Sequence, residues 1–335
     1  SAWLVAPKID IPVMALAWGV LLAGFLQLLF QIAPLATIKK IPVPKIDFQN
    51  PGVKKFFVLI FPAILAGGIA QINLLIDTIF ASLLITGSPT WLYVSDRLIQ
   101  FPMGIFAIAI GTVLLPSLSK AYSQKEVQAY TEQLEHAFKL VFFLAIPSLI
   151  GLALFASPLL STIFQRGAFL WSDVQQASLS LIGFSFGLPF FMAMKVLVPA
   201  FFSRQNTKTP MLIAFLSLLI NVFLNYLLAF YFGLGHLGLA IASSISAMVS
   251  VIILSLILKR DRLISFSGIL STFSLNVLIA SIALISFLLI FNQYFNFELL
   301  DQAQRFLHLV IALISSLIIY FGASFLLGVR PADFK

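Results

Sequence analysis

The chain has 335 residues, of which 61% are hydrophobic and only 10% are charged, whereas an ordinary soluble domain has about 25% charged residues. This composition excludes a soluble globular protein and predicts an all-α polytopic membrane protein. The absence of cysteine excludes a disulfide framework, a thiol nucleophile and a Cys-ligated metal. We interpret the formal charge of +8 as an excess of basic residues in cytoplasmic loops, and we expect no nucleic-acid partner.

Apolar runs long enough to cross a bilayer, which takes about 20 residues, predict about nine transmembrane helices. They cover residues 11–32, 54–84, 91–119, 136–155, 174–202, 211–232, 237–258, 269–291 and 306–327. Residues 33–53 are rich in proline and lysine and predict a linker at the membrane surface, while the polar residues 117–136 predict a short surface helix. Pro102 and Gly104 are expected to bend the third span, and Pro116 to end it.

Basic residues are distributed unevenly between the two sides of these spans. Fourteen of the 20 Lys and Arg residues follow spans one, three, five, seven and nine, and three lie on the opposite side. The positive-inside rule therefore predicts a cytoplasmic C-terminus and an outward-facing N-terminus. The chain starts with Ser and lacks a signal peptide, so we expect a fragment whose N-terminal part is missing.

Charged residues inside a span are costly, by roughly 2.5–3.5 kcal/mol on insertion scales, and they therefore indicate a buried partner or a wet cavity. Asp96 and Arg97 lie near the start of the third span, with Gln100 one turn further on. They form a local ion pair, an interfacial anchor near the outer end of the helix, or a cavity wall that presents Arg97 to an anionic cargo. The last is plausible since a guanidinium group donates two hydrogen bonds to phosphate. Lys195 in the fifth span either reaches the membrane interface or also lines a cavity.

A second group of polar residues lies in the second, sixth and seventh spans. Asn221 and Asn225 share one helix face because they are four residues apart, and Asp77, Ser243 and Ser244 supply further oxygen atoms. One carboxylate with several neutral oxygens suits a hard monovalent cation. Hydrogen bonding between packed helices is the alternative interpretation.

The last two spans are very apolar and contain one histidine, His308. They either pack on the bundle or form a groove for a lipid tail. The sequence has no Walker A motif, no hydrolase-type carboxylate pair and no Asp-rich diphosphate–metal motif, so it predicts a protein that is not an enzyme.

Five segments resemble the MurJ (MviN) family of lipid II flippases, in the order in which the family carries them, and the similarity covers essentially the whole chain. They are PAILAGGIAQINLLIDTIFASLL (Pro62–Leu84), LYVSDRLIQFPMGIFAIAIGTVLLPSLSK (Leu92–Lys120), FQRGAF (Phe164–Phe169), KVLVPAFFSRQNTKTP (Lys195–Pro210) and GLGHLGLAIASSISA (Gly233–Ala247).

The resemblance implies an exporter superfamily with two six-helix lobes around a central cavity and alternating access between the two sides of the membrane. Residues 1–53 would supply the last helix of the first lobe and a linker, and residues 54–262 the second lobe. Residues 263–335 would supply two additional helices and a tail, and in the family these helices form a groove for the undecaprenyl chain.

The resemblance also implies roles for single residues. Arg97 matches the family's cavity arginine, implicated in binding the lipid II diphosphate, and Asp96 is its usual neighbour. Gln100 stands where some members have Glu, which puts an acidic role there in doubt.

Asp77, Asn221, Asn225 and Ser243 resemble the family's sodium site. Asn225 replaces an Asp of that site, so weaker cation binding is expected. Apart from Na⁺ we expect no cofactor.

The implied function is to flip lipid II across the bacterial inner membrane, with lipid II, membrane lipids and other cell-wall synthesis proteins as partners. The family's other cavity arginines belong to first-lobe helices that this chain lacks, so the chain alone is not expected to transport. Three alternatives remain open: an exporter of another polyprenyl-linked glycan or a drug, a membrane enzyme acting on a lipid-linked sugar, and a non-transporting scaffold.

Overall fold

The computed structural model describes residues 12–37, 49–264 and 272–330. Its elements are α1 (Pro12–Thr37), α2 (Pro51–Ser82), α3 (Ser88–Pro102), the π-helical turn π1 (Met103–Ala107), α4 (Ile108–Ser123), α5 (Val127–Leu154), α6 (Ala156–Phe164), α7 (Trp171–Ser203), α8 (Lys208–Asn225), the π-helical turn π2 (Tyr226–Tyr231), α9 (Gly235–Arg260), α10 (Thr272–Tyr294) and α11 (Gln302–Leu326).

Within these described ranges, eight helical stretches are long and apolar enough to cross a membrane, and Ala17–Ile32 inside α1 is a shorter apolar helix. The eight stretches match the predicted second to ninth spans, with α3, π1 and α4 forming one continuous stretch from Ser88 to Ser123. The prediction of an all-α polytopic membrane protein is therefore confirmed.

The chain divides into two compact units, residues 1–55 and 56–335. In the first unit, most described side chains of α1 are exposed. In the second unit, α7 is the central helix and packs against α3, α4, α5 and α9. Small residues allow this close approach: a Cβ atom added to Gly183 would lie 2.9 Å from the Cβ of Ala240 on α9. Ser244 of α9 also donates a hydrogen bond to the Gly183 carbonyl at 2.8 Å.

The last two helices are fixed to α5 and α6 by side chains that donate to backbone carbonyls. Asn292 donates to Leu154 O at 2.8 Å, Gln302 to Thr162 O at 2.6 Å and Tyr320 to Phe143 O at 2.6 Å. Arg305 at the start of α11 is buried and donates to the carbonyls of residues 297 and 298 and to the side chain of residue 165. A buried polar network of this kind favours one docked position of the pair.

Three boundary predictions are wrong. The helix continues through Pro116 to Ser123, because neighbouring groups in a membrane bundle satisfy the backbone that a proline frees. The predicted surface helix at 117–136 consists of the end of α4 and the first turns of α5. The predicted linker at 33–53 is shorter, since α1 reaches Thr37 and α2 starts at Pro51. Residues 1–11, residues 38–48 of that linker, residues 265–271 and the tail from 331 lie outside the described residues.

Candidate functional site

A cleft of about 960 Å³ opens between α2, α3, π1, α7 and α9. Its lining combines apolar side chains with a small set of polar ones. The polar and charged lining residues that matter most are Asn73, Asp77, Tyr93, Asp96, Arg97, Gln100, Lys195 and Ser243. The structure thus brings together residues that the sequence placed in four separate spans.

The α3 helix presents its polar residues to the cleft because its other face is buried. Ser95 and Ile99 are buried, and the Ser95 hydroxyl donates to the Ala177 carbonyl of α7 at 2.8 Å. Asp96, Arg97 and Gln100 lie on the remaining face and line the cleft. Pro102 ends α3 and the π-helical turn π1 follows directly, at the position where the sequence predicted a bend.

Arg97 has no carboxylate partner within salt-bridge distance among the described residues. Its Nη1 donates a long hydrogen bond of 3.5 Å to Gln100 Oε1, and its guanidinium lies 4.7 Å from the centre of the Tyr93 ring. The amide of Gln100 donates to Asp96 instead. Asp96 and Arg97 therefore form no direct salt bridge, although their charges are close enough to interact, and most guanidinium N–H groups remain available to an anion.

Asp77 of α2 is the centre of a polar cluster that joins three helices. Its carboxylate accepts from Asn225 Nδ2 at 2.6 Å, from Asn73 Nδ2 at 3.2 Å and from Ser243 Oγ at 3.4 Å. Asn221 and Asn225 on α8 are almost completely buried, and Asn221 Oδ1 accepts from Asn225 at 2.9 Å. Turning the Asn221 amide over instead aims its nitrogen at Asp77 Oδ1, 3.0 Å away.

The observed cluster differs from the predicted set of residues at two positions. Ser244 does not join it, because its hydroxyl points to α7 and donates to the Gly183 carbonyl. Asn73 does join it and was missed. Its position four residues before Asp77 on the same helix was the signal available in the sequence.

Lys195 is exposed and lines the cleft. The backbone of α7 at this position is fixed by α4, since a Cβ atom added to Gly111 would lie 2.9 Å from the Lys195 carbonyl oxygen. The cleft therefore contains two basic side chains, Arg97 and Lys195, on neighbouring walls.

The Asp77 cluster fits a hard cation in its donor chemistry. It offers carboxylate, amide and hydroxyl oxygens, and Asn225 Oδ1 is buried and lacks a hydrogen-bond donor within the described part of the chain. A buried acceptor without a donor is unfavourable, but it is the amide nitrogen of Asn225 that faces Asp77, so a cation shared by the two side chains would require this amide to turn over. No group of three or more His, Cys, Asp or Glu residues with a metal-binding arrangement occurs in the described ranges.

Comparison with solved structures defines the class of protein. The chain is similar to a eukaryotic MATE transporter with a TM-score of 0.55 and 20% identity, over 81% of this chain and 63% of that one. This likeness concerns the fold alone, which is that of a polytopic helical membrane protein. A family model described as lipid II flippase MurJ matches residues 1–324. The chain therefore belongs to the MurJ lipid II flippase family.

Curated relatives agree with this assignment. The probable lipid II flippase MurJ of Vibrio cholerae is 42% identical over 253 residues, which are 76% of this chain and 48% of the relative. That of Haemophilus influenzae is 38% identical over 337 residues, covering 98% of this chain and 66% of the relative. A solved lipid II flippase MurJ in an inward closed conformation has a TM-score of 0.63 at 25% identity, over 85% of this chain and 57% of that one. The chain thus spans about half to two thirds of the length of these relatives.

Proposed function

We propose that this chain forms the second lobe and the two additional helices of a protein that flips lipid II across the bacterial inner membrane by alternating access. The support is its family membership together with the cleft, whose lining includes the basic residues Arg97 and Lys195 beside the acidic residues Asp77 and Asp96. The observation that carries the proposal is the guanidinium of Arg97, which lies on the cleft wall without a carboxylate partner among the described residues.

Lipid II carries a diphosphate and a disaccharide-pentapeptide, and neither crosses hydrocarbon unaided because charged and polar groups lose their hydration there. Arg97 would donate two parallel hydrogen bonds to the diphosphate, and the Tyr93 ring beside it would keep the guanidinium oriented. Lys195 would add a second positive charge from the α7 wall. The polyprenyl chain would stay in the lipid or along the apolar surfaces of α10 and α11.

Na⁺ is the cation that we propose for the Asp77 cluster. Asp77, Asn221, Asn225 and Ser243 would hold it through oxygen atoms, and Asn73 would orient the Asp77 carboxylate. The ion would neutralise a charge at membrane depth and would supply no covalent chemistry. Because these residues belong to α2, α8 and α9, its binding would hold α2 against the other two helices.

The test uses the intact protein in cells depleted of their own flippase. Wild type, Arg97→Ala and Arg97→Lys are compared at matched membrane levels, with Arg260→Ala as a control because Arg260 is exposed and lies outside the cleft. We expect wild type and the control to restore growth, Arg97→Ala to fail, and Arg97→Lys to fail or to restore growth weakly, because ammonium cannot donate in bidentate geometry.

Full rescue by Arg97→Ala would contradict the proposed role of Arg97. Failure of the wild type, combined with transport of another polyprenyl-linked glycan by the purified protein in vesicles, would point instead to an exporter of that glycan. Rescue by every variant, with no transport in vesicles, would favour a scaffold of cell-wall synthesis.

A further inference from the structure

The buried face of α3 is held by a polar network at the end of the helix opposite π1. Trp91 Nε1 donates to Asp173 Oδ1 of α7 at 2.9 Å. The other oxygen of the same carboxylate accepts from the backbone N–H of Leu170 at 2.8 Å. Asp173 is therefore fixed at the start of α7 by its own capping bond, and it offers Trp91 a rigid acceptor.

A histidine on α9 holds the same tryptophan from another side. The ring of His236 contacts the Trp91 ring edge to face, with centroids 5.0 Å apart. Both nitrogens of this imidazole are engaged by α7, through Ser180 Oγ at 2.7 Å and Gln176 Oε1 at 3.0 Å. The indole of Trp91 thus lies between two side chains that cannot turn freely, and it is itself buried.

This network bears on Arg97 through the geometry of the helix. Successive residues of an α-helix are about 100° apart around its axis, so Ser95 and Arg97 project from nearly opposite faces of α3. The single hydroxyl proton of Ser95 is shared between the Ala177 carbonyl of α7 at 2.8 Å and the Trp91 carbonyl of its own helix at 2.7 Å, and the Trp91 side chain is fixed one turn earlier. The two bonds to α7 therefore set the rotation of α3 about its axis and with it the direction in which Arg97 enters the cleft.

We infer that Trp91 and Ser95 are positioning residues for Arg97, acting through their hydrogen bonds to Asp173 and to the backbone of α7. This inference rests on the proposed function, because the orientation of Arg97 matters only if Arg97 binds an anion. The effect of these hydrogen bonds on the orientation of α3 does not depend on a substrate, so it can be tested without one.

The chain offers a matched control. Trp171 at the start of α7 is also a tryptophan in the same region, but its Nε1 is buried and has no hydrogen-bond partner within the described residues. Trp91→Phe and Trp171→Phe remove the same indole volume, whereas only Trp91→Phe removes a bond that holds α3. Trp171→Phe therefore shows the effect of losing indole volume where no bond to α3 is lost, and Ser95→Ala removes a bond with little change in volume.

Rotation of α3 can be measured by thiol labelling, because the chain contains no cysteine. Single cysteines at positions 97 and 98 are introduced into the intact protein, and the ratio of their labelling rates with a charged methanethiosulfonate reagent reports which face of α3 meets the cleft. Loss of one hydrogen bond shifts an equilibrium by about fivefold. We therefore expect the 97-to-98 ratio to fall by up to about fivefold in Trp91→Phe and in Ser95→Ala, and to stay unchanged in Trp171→Phe.

A second measurement keeps Arg97 and titrates the same three variants with inorganic pyrophosphate as the diphosphate probe. We expect weaker binding in Trp91→Phe and Ser95→Ala than in Trp171→Phe at equal thermal stability. Equal labelling ratios in all backgrounds would overturn the inference. A changed ratio with no pyrophosphate binding even in the wild type would support the positioning role and count against the proposed function.

Discussion

The hydrogen bonds to Asp77 predict a graded loss of stability. The bond from Asn225 is the shortest at 2.6 Å, followed by Asn73 at 3.2 Å and Ser243 at 3.4 Å. Bonds to charged groups contribute about 1.5–3 kcal/mol, whereas neutral interhelical bonds in a membrane average about 0.6 kcal/mol. We therefore expect Asn225→Ala to lower the free energy of unfolding by about 2 kcal/mol, and Asn73→Ala and Ser243→Ala to lower it by less than about 1 kcal/mol.

Thermal unfolding of the intact protein in detergent, in a sodium-free buffer, measures this order. A destabilisation of about 2 kcal/mol corresponds to a decrease in Tm of roughly 3 °C for 335 residues, since the entropy of unfolding is about 2.1 cal/mol/K per residue. Ser246→Ala is the control, since the hydroxyl of Ser246 is buried but bonds only to the carbonyl of Ala242 on its own helix. If Ser243→Ala were as damaging as Asn225→Ala, the short bond would not be the dominant one and the reasoning would be refuted.

Two further predictions concern charge. Asn225→Asp places a second carboxylate beside Asp77, where two charges about 4 Å apart repel by about 4 kcal/mol at an effective dielectric constant of 20. In N-methylglucamine chloride, the Tm of Asn225→Asp should be lower than that of wild type. Added NaCl should raise the Tm of the variant more steeply than that of wild type. If the Tm of the variant depended in the same way on the concentrations of both salts, the cation site would be contradicted. Arg305→Ala removes three hydrogen bonds, one to the carbonyl of the buried Phe297 and two to half-buried or exposed residues, and should cost about 2 kcal/mol in thermal unfolding. Arg166→Ala is the control, because Arg166 is exposed and its replacement should change the free energy of unfolding by no more than about 0.5 kcal/mol. Similar losses in the two variants would contradict a stabilising role for the hydrogen bonds of Arg305.

Local patterns in the sequence were sufficient for much of the candidate site. Gln100 was placed one helical turn after Asp96 and Arg97 because of its spacing, and the structure places all three on the cleft wall. Asn221 and Asn225 were grouped for the same reason and are bonded to each other. In both cases the relevant geometry is that of a single helix, which residue spacing predicts well.

Contacts between helices could not be derived in this way. Asn225 and Asp77 are 148 residues apart, and no periodicity indicates that they meet. Ser243 and Ser244 are equally plausible from the sequence, yet only Ser243 reaches Asp77, because the rotation of α9 turns the neighbouring hydroxyl towards α7. Arg305 is one of the three basic residues that the sequence placed on the side opposite to the basic excess, and the structure buries it against backbone carbonyls.

The sequence by itself determined the membrane class, the position of eight of the spans and the family, because long apolar runs have few alternatives in a bilayer and the motifs are specific. Only the tertiary structure decided that Lys195 shares a cleft with Arg97, that Arg97 lacks an ion-pair partner among the described residues, and that Trp91 anchors the face opposite to Arg97. These features depend on how each helix is rotated against its neighbours. That rotation is set by small residues and buried hydrogen bonds distributed over several helices, which no single stretch of sequence contains.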